Sequence, residues 1–304
     1  PSHSTSIDEE GLVISNFLLV RDGVFREDAL RELLGSGPYP ARNPDRNIAD
    51  FRAQIAANTK GVTELSGLVD AYSLETVQAY MQHVQDNAEE NVRRVVARLT
   101  DGQYCAPLDG GAEISVEIRV DRRDRSAVVD FTGTSAQLPT TVNAPHAITR
   151  AAVLYVFRCL VSDDIPLNDG CLIPITIRLP DGSMLDPVHP AAVVAGNVET
   201  SQVITDALLA ATGALANSQG TMNNLTFGGT NDGMPFAYYE TIGGGSGAGG
   251  RDEPGRAGCM ADRGRAALAR DVSHWTVGHA AAVYHVATRR VARRRVQAAV
   301  HLSL

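Results

Sequence analysis

The sequence predicts an α+β fold in which helices and a mixed sheet alternate without simple βαβ repeats. Three observations predict it. Much of the N-terminal third carries apolar residues at helical spacing. Glu113–Val120 then alternates with period two, and Ser126–Phe131 returns as a second strand after the charged turn Asp121–Arg125. Finally, Thr149–Val161 is apolar nearly all round, which is typical of a helix buried against a sheet.

The N-terminal third is predicted to be mostly helical. Its predicted elements are, in order, a strand or extended segment at Leu12–Val20, a helix at Phe25–Leu34, a helix that Pro44 opens and that breaks at Lys60-Gly61, and a helical stretch over Leu65–Thr100 interrupted near Ser73. One apolar stripe runs along the last of these: Val77, Tyr80, Met81, Val84, Ala88, Val92, Val95, Val96 and Leu99. We expect this stripe to be the buried face.

Beyond the hairpin, Ile173–Leu179 predicts a further strand. The acidic turn Asp163–Gly170 offers oxygen ligands, but it lacks the regular spacing of a calcium loop, so we interpret it as structural. His83 and Asp86 are interpreted as a pair on a helix surface instead of a proton-transfer pair.

Composition and charge exclude several classes of protein. With 304 residues, of which 44% are apolar, the chain can bury a substantial core, and no apolar run is long enough to span a bilayer. The net charge is −8, yet residues 251–304 carry ten Arg and four acidic residues. An acidic body argues against nucleic acid as the natural ligand and leaves the basic segment to be explained separately.

The four cysteines predict neither a disulfide framework nor a structural metal site, because Cys105, Cys159, Cys171 and Cys259 show no paired spacing. We expect reduced thiols and a cytoplasmic protein. Cys159 and Cys171 lie in apolar surroundings and are predicted to be buried.

The candidate site lies in Ala191–Ala248, where three polar or glycine-rich segments adjoin apolar elements. In the first, Gly196–Ser201 follows the apolar run Ala191–Ala195 and predicts a strand-to-helix turn. Thr200 or Ser201 is predicted to cap the helix, whose free N–H groups attract a carboxylate, carbonyl oxygen or phosphate.

The other two segments are Gly220–Asn224 and the stretch from Tyr238 through Gly247. Each segment taken singly is interpreted as a tight turn, since Gly, Asn, Ser and Thr favour turns for local backbone reasons. The three together predict a binding site assembled at the ends of secondary-structure elements.

Several long motifs in one order carry a family resemblance. They are DFTGTSAQLPTTVNAP, DDIPLNDGCLIPITIRLPDGSMLDP, VVAGNVETSQVITDALL, GTMNNLTFGG and YYETIGGGSGA. Together they resemble the hydantoinase B/oxoprolinase family, from about residue 2 to about residue 248. RNPDRNIADFRAQIAANTKG and YMQHVQDNAEENVRRV resemble its ATP-dependent 5-oxoprolinase branch.

The resemblance implies an enzyme that opens the lactam of 5-oxoproline with ATP and water to give glutamate, ADP and phosphate. It also implies a hydantoinase A-type domain or subunit that handles ATP, with magnesium, while the B-type portion supplies the rest of the catalytic assembly. The identity of any further metal is left open. No membrane and no nucleic acid are expected among the partners.

The chain departs from the family pattern at both ends, so we expect a fragment. A further N-terminal region with a His- and Asp-containing motif is absent, and so is the family's continuation beyond Ala248. We therefore predict a partial family domain at 1–249 and an unrelated Arg-rich segment at 250–304, poorly ordered or weakly packed. Three origins are considered for this segment. It is translated from a shifted reading frame, it is an Arg-rich interaction tail, or it forms a genuine helix through Ala280–Ala299. GGGSGAGG lacks the Lys-Ser/Thr of a phosphate loop.

Residue chemistry assigns roles within the three segments. Once ATP has phosphorylated the lactam oxygen, the resulting imidate phosphate must be hydrolysed. That hydrolysis needs a positioned water and hydrogen-bond donors for the developing negative charge. Glu199 or Glu240 is predicted to position that water, and each is alternatively a structural carboxylate bonded to turn amides. The predicted substrate-binding residues are Asn197, Thr200, Ser201, Thr221, Asn223, Asn224, Thr241, Gly243, Gly244 and Gly245.

Other functions remain open on the same scaffold, because a fold does not fix chemistry. They are a subunit of an ATP-dependent N-methylhydantoinase, a subunit of a ketone carboxylase, and a non-catalytic remnant that only binds a partner.

Overall fold

The computed structural model describes residues 3–218, 220–231, 234–241 and 298–301. The α-helices are α1 (Glu27–Leu34), α2 (Pro44–Tyr72), α3 (Leu74–Val96), α4 (His146–Cys159) and α5 (Ser201–Ala211). The strands are β1 (Val20–Arg21), β2 (Val24–Phe25), β3 (Gly102–Pro107), β4 (Glu113–Asp121), β5 (Ser126–Asp130), β6 (Ile175–Arg178), β7 (Asn224–Asn231), β8 (Met234–Thr241) and β9 (Ala298–His301). This mixture confirms the predicted α+β class.

The N-terminal residues form a small unit with its own core, in which Leu30, Leu34 and Ile48 are buried between α1 and α2. Of the strand or extended segment predicted at Leu12–Val20, only Val20 lies in a strand, the two-residue β1, so the strand alternative is wrong over most of its length. A strand needs a partner for its backbone groups, and β2 offers only two residues.

Helix α2 starts and ends as predicted but has no break at Lys60-Gly61. Asn43 accepts a hydrogen bond from the Arg46 N–H at 3.1 Å, and Pro44 occupies the first turn. One glycine costs a helix interior only about 1 kcal/mol, which 29 continuous residues absorb. Ser73, at φ 75°, then ends α2 and caps α3 by accepting a hydrogen bond from the Thr76 N–H.

The apolar stripe of α3 is buried only in its C-terminal half. Ala88, Val92 and Val96 are fully buried in the main core. Tyr80 and Met81, toward the N-terminus, are 67% and 46% exposed. The prediction of one buried stripe is therefore wrong for the N-terminal half, since the elements of the main core cover only the C-terminal half of α3.

The main core lies between a four-stranded sheet and the helices α3, α4 and α5. The strand order is β3-β4-β5-β6, with β3, β4 and β5 antiparallel and β6 parallel to β5. Helix α4 makes that parallel connection, the single βαβ unit among the described residues. The β4–β5 hairpin and β6 confirm the sequence prediction.

Strand β3 was not predicted from the sequence. Its residues carry weak strand signals, but α5 packs across it closely. A Cβ at Gly102 would lie 2.0 Å from the carbonyl oxygen of Ala211, so a glycine is required at this contact.

Helix α4 is not buried all round, which corrects two predictions. Tyr155 is 58% exposed and Cys159 is exposed, because α5, α3 and the short helical turn Asp169–Leu172 leave part of the helix uncovered. Cys171 is buried, as predicted. Cys259 lies outside the described residues.

Strands β7 and β8 form a hairpin, and β9 pairs with the other side of β7. The remainder of the predicted segment 250–304 lies outside the described residues, so its order and the burial of Trp275 stay predictions. Among the described residues, no helix combines the length and the apolar character that a membrane span requires.

Candidate functional site

A five-residue π-helical turn, Gly196–Thr200, leads directly into α5. The carbonyl oxygen of Ala195 accepts hydrogen bonds from the N–H groups of Val198 at 3.2 Å, Glu199 at 2.8 Å and Thr200 at 3.3 Å. Single π-turns of this kind occur frequently at functional sites. The wider turn presents the Glu199 side chain at the start of the helix.

Two predictions about this segment are wrong. Ala191–Ala195 is not a strand, and Ala191 makes only an isolated bridge to Ser6. Neither Thr200 nor Ser201 caps α5, because both lie inside the continuous helical turn. Their hydroxyls donate to backbone carbonyls instead, that of Thr200 to Val142 at 2.5 Å and that of Ser201 to Asn197 at 2.8 Å.

Buried Asn143 holds the π-turn in place from a neighbouring loop. Its Oδ1 accepts from the Leu138 N–H at 2.8 Å, and its Nδ2 lies 2.8–2.9 Å from the carbonyl oxygens of Leu138, Thr140 and Ala192. Gly196 packs against the same residue, since a Cβ there would lie 2.3 Å from the Asn143 carbonyl oxygen. The backbone of the Asn143 loop therefore lies so close to the π-turn that there is no room for a side chain at Gly196.

A carboxylate from the N-terminal segment completes this support. Glu10 Oε1 accepts hydrogen bonds from the N–H groups of Val193 and Val194, both at 2.8 Å. The backbone just before the π-turn is therefore fixed by a side chain far away in sequence.

Glu199, Thr221 and Asn223 form one hydrogen-bonded group, here called the Glu199 cluster. The Thr221 hydroxyl donates to Glu199 Oε1 at 2.7 Å and accepts from the Asn223 N–H at 3.2 Å. Asn223 Nδ2 donates to the Thr221 carbonyl at 3.1 Å, and Asn223 adopts a left-handed φ of 55°. The Met222 N–H donates to Val198 at 3.2 Å, which docks this loop on the π-turn.

Burial raises the pKa of Glu199. The Thr221 hydrogen bond opposes this by lowering the pKa, while the negative charge of exposed Asp109 raises it further. Glu199 Oε2 accepts no hydrogen bond from any residue that the structure describes. A partly buried carboxylate with a raised pKa, one of whose oxygens accepts no hydrogen bond from the described residues, has the properties of a general base.

Glu240 makes no hydrogen bond to the described residues of the Glu199 cluster. It is exposed on β8, and its Oε2 accepts from the Tyr238 hydroxyl at 2.8 Å, which raises the pKa of Tyr238. Asn224 Oδ1 accepts from the hydroxyls of Tyr239 at 2.8 Å and Thr241 at 3.2 Å. Because neighbouring residues of a strand point to opposite faces, Asn224 and Thr241 share one face of the hairpin and Glu240 lies on the other.

The remaining predicted residues are placed as follows. Asn197 is exposed on the π-turn, and Gly243, Gly244 and Gly245 lie outside the described residues. Whether all predicted residues line one concavity stays a prediction. Sequence reasoning missed Asp109, Asn143 and Glu10. Asn143 stands in the quoted motif TVNAP, whereas the other two act across long sequence separations that leave no local signal.

Among the described residues, no group of three or more His, Cys, Asp and Glu side chains could hold a metal ion. Lys60, the single lysine, lies on the exposed surface of α2, where Nζ pairs with Glu64. A phosphate-binding loop of the Walker type needs a lysine after a glycine-rich turn, and the described residues contain no such arrangement.

A family model for hydantoinase B/oxoprolinase matches residues 1–264. The chain belongs to the hydantoinase B/oxoprolinase family. The match extends past the predicted boundary at residue 249.

Two curated relatives of this hydantoinase B/oxoprolinase chain are similar over most of its length. It is 44% identical to the 5-oxoprolinase of Dictyostelium discoideum over 258 residues, which cover 82% of this chain and 20% of that protein. It is 44% identical to 5-oxoprolinase 1 of Arabidopsis thaliana over 276 residues, covering 82% of this chain and 21% of that protein. The chain thus spans about a fifth of the length of these relatives.

The fold is similar to that of an ATP-dependent caprolactamase from Pseudomonas jessenii. The TM-score is 0.58 at 23% identity, and the match covers 76% of this chain and 41% of that one. Similarity at this identity supports the fold alone.

Proposed function

We propose that this chain is the B-type portion of an ATP-dependent lactam hydrolase that converts 5-oxoproline, ATP and water to glutamate, ADP and phosphate in the cytoplasm. Similarity to 5-oxoprolinases over 82% of the chain supports the reaction class. The observation that carries the proposal is the Glu199 cluster, which gives this scaffold a carboxylate suited to proton transfer.

A hydantoinase A-type domain or subunit supplies the nucleotide and its magnesium in this proposal. The absence of a fitting phosphate loop from the described residues is consistent with that division. We therefore assign no step of nucleotide chemistry to this chain. On its own, we expect it neither to hydrolyse ATP nor to open 5-oxoproline.

Within this chain, Glu199 acts on the water that attacks the activated lactam carbon. Oε1 is fixed by the Thr221 hydroxyl, so Oε2 is the atom that accepts the proton. General bases contribute about 10²- to 10⁴-fold to a rate. Asn197, Asn223, Asn224 and Thr241 are the described candidates for binding the substrate carboxylate or carbonyl oxygen, together with Gly243, Gly244 and Gly245.

The test measures ADP release with 5-oxoproline, hydantoin, or acetone with bicarbonate. It uses the 304-residue chain with an A-type chain supplied in trans, both as it stands and joined to regions that extend it to the length of its relatives. Glu199→Gln is expected to lower kcat by about 10²-fold or more. Glu240→Gln, on the exposed hairpin, is the matched control and should change kcat only a few-fold. The reverse ranking would transfer the role to Glu240, and turnover by the chain alone would overturn the assignment of the nucleotide to a partner.

Two variants near Glu199 sharpen the test because they shift its pKa in opposite directions. Thr221→Val removes the hydrogen bond that lowers this pKa, so the acid limb of kcat should move to higher pH. Asp109→Asn removes the negative charge that raises it, so the limb should move to lower pH. If neither variant moved the acid limb of the kcat–pH profile, Glu199 would not be the titrating base.

A further inference from the structure

An apolar groove runs between α2 and α3 beyond Gly61, remote in sequence from the Glu199 cluster. It has a volume of about 740 Å³. Its main apolar lining comes from Leu65, Leu68 and Tyr72 of α2 and from Tyr80, Met81 and Val84 of α3. These six side chains are between 40% and 67% exposed.

This groove continues the apolar stripe of α3 past the point where the protein's own core ends. Ala88, Val92 and Val96 use the stripe to pack against the main core. Val84, Met81 and Tyr80 continue the same periodicity without such cover. A contiguous exposed apolar patch of this kind marks an interaction surface more often than single exposed residues do.

The dimensions of the groove fit a helix. Leu65 to Tyr72 spans about 10 Å of helix axis and Tyr80 to Val84 about 6 Å, at 1.5 Å per residue. A docked helix of two to three turns would place apolar residues at i, i+3, i+4 and i+7 along this length. Aromatic and Met side chains, which supply three of the six positions, are also enriched at protein interfaces.

The residues that line the groove are uncharged, so the charge of the surrounding hairpin decides the chemistry at the flanks of the occupant. The hairpin from Gly61 to Ala88 carries the carboxylates of Glu64, Asp70, Glu75 and Asp86, with no Lys or Arg between them. The cationic residue next to this hairpin in sequence, Lys60, is paired with Glu64. A second copy of this chain would set like charges against like, which is destabilising, whereas a basic partner is complementary.

We propose that this groove docks an amphipathic helix of a protein partner, with an apolar stripe flanked by Lys or Arg. The matched relatives are about five times longer than the region they share with this chain, so the rest of such a protein or assembly is a source for that helix. The proposal is independent of the lactam chemistry. Its test needs neither ATP nor 5-oxoproline, so the two proposals fail separately.

The probe is a fluorescein-labelled helical peptide of about 18 residues, roughly five turns, with Leu at the apolar positions and Arg at the flanks. Its counterpart has Glu in place of Arg. Fluorescence anisotropy with the full chain should show binding of the Arg peptide that weakens with added salt, and no binding of the Glu peptide. Leu68→Glu and Tyr80→Glu should each weaken binding at least tenfold.

Tyr155→Glu is the matched control, since Tyr155 is 58% exposed on α4, away from the groove. It should leave the affinity unchanged, and circular dichroism should show equal helix content for all variants. No binding of the Arg peptide, equal binding of the Glu peptide, or an equal loss in Tyr155→Glu would each overturn the proposal. So would a dimer in light scattering that Leu68→Glu splits, or sedimentation with phosphatidylcholine vesicles that Leu68→Glu abolishes, because a second copy or a lipid surface would then be the occupant.

Discussion

Asn143→Ala should strongly destabilise the fold and loosen the segment that carries Glu199. The side-chain amide has two N–H groups and one carbonyl oxygen, so of the four contacts at 2.8–2.9 Å at most three are full hydrogen bonds at once. At about 1 kcal/mol each, the loss is about 3 kcal/mol, before the cost of leaving backbone groups unpaired in a buried site. For a domain of this size, that lowers Tm by about 6–12 °C.

Thermal unfolding followed by circular dichroism measures this shift. Asn47→Ala is the matched control, because Asn47 is exposed on α2 and its loss should cost within about 0.5 kcal/mol. Asn143→Asp keeps the acceptor for the Leu138 N–H but sets a carboxylate against carbonyl oxygens, so it should be as damaging as Ala. An Asn143→Ala chain within 2 °C of wild type, about 0.5–1 kcal/mol, would refute the reasoning, as would a fully stable Asn143→Asp chain.

Two further predictions concern the same segment. Gly196→Ala should cost about 1–3 kcal/mol of unfolding free energy in urea, because its Cβ would meet the Asn143 carbonyl oxygen at 2.3 Å. Gly67→Ala, with no atom within 4 Å of the added Cβ, is the control and should be neutral or stabilising. Equal costs for the two would contradict the close packing. Glu199→Gln should raise Tm at neutral pH but not below the ordinary Glu value of 4.5, because the folded-state pKa lies above the unfolded one, so this group's stabilisation is lost as pH rises through the folded pKa. A lower Tm at neutral pH would contradict the burial argument.

Elements whose signals are local were predicted well from the sequence. The period-two alternation of Glu113–Val120 predicted β4, and Pro44 predicted the start of α2. The positive φ and capping hydroxyl of Ser73 lie where the helical pattern was interrupted. In each case, the residues that specify the element lie within it.

Features that depend on partners distant in sequence were missed or misjudged. Gly102 does not favour a strand by itself. A glycine is needed there because α5 packs too closely for a side chain, and α5 is distant in sequence. Cys159 was predicted to be buried because its sequence neighbours are apolar, but it lies on a part of α4 that no other described element covers. For the site, the sequence pointed to Glu199, Thr221 and Asn223, which the structure joins, yet it contained no local sign of Asp109 or Glu10.

The parallel pairing of β6 with β5 has a consequence for the order of folding. Strands β4 and β5 join through a turn from Asp121 to Ser126, and such hairpins form in about 1–10 μs. Strand β6 pairs with β5 only after the chain from Asp130 to Ile175, including α4, has closed back onto the sheet. Closing so long a segment is entropically costly, so β6 should join late. Until then, the hydrogen-bonding edge of β5 is open to strands of other chains, and the speed with which α4 docks sets how long this chain is exposed to aggregation during its synthesis.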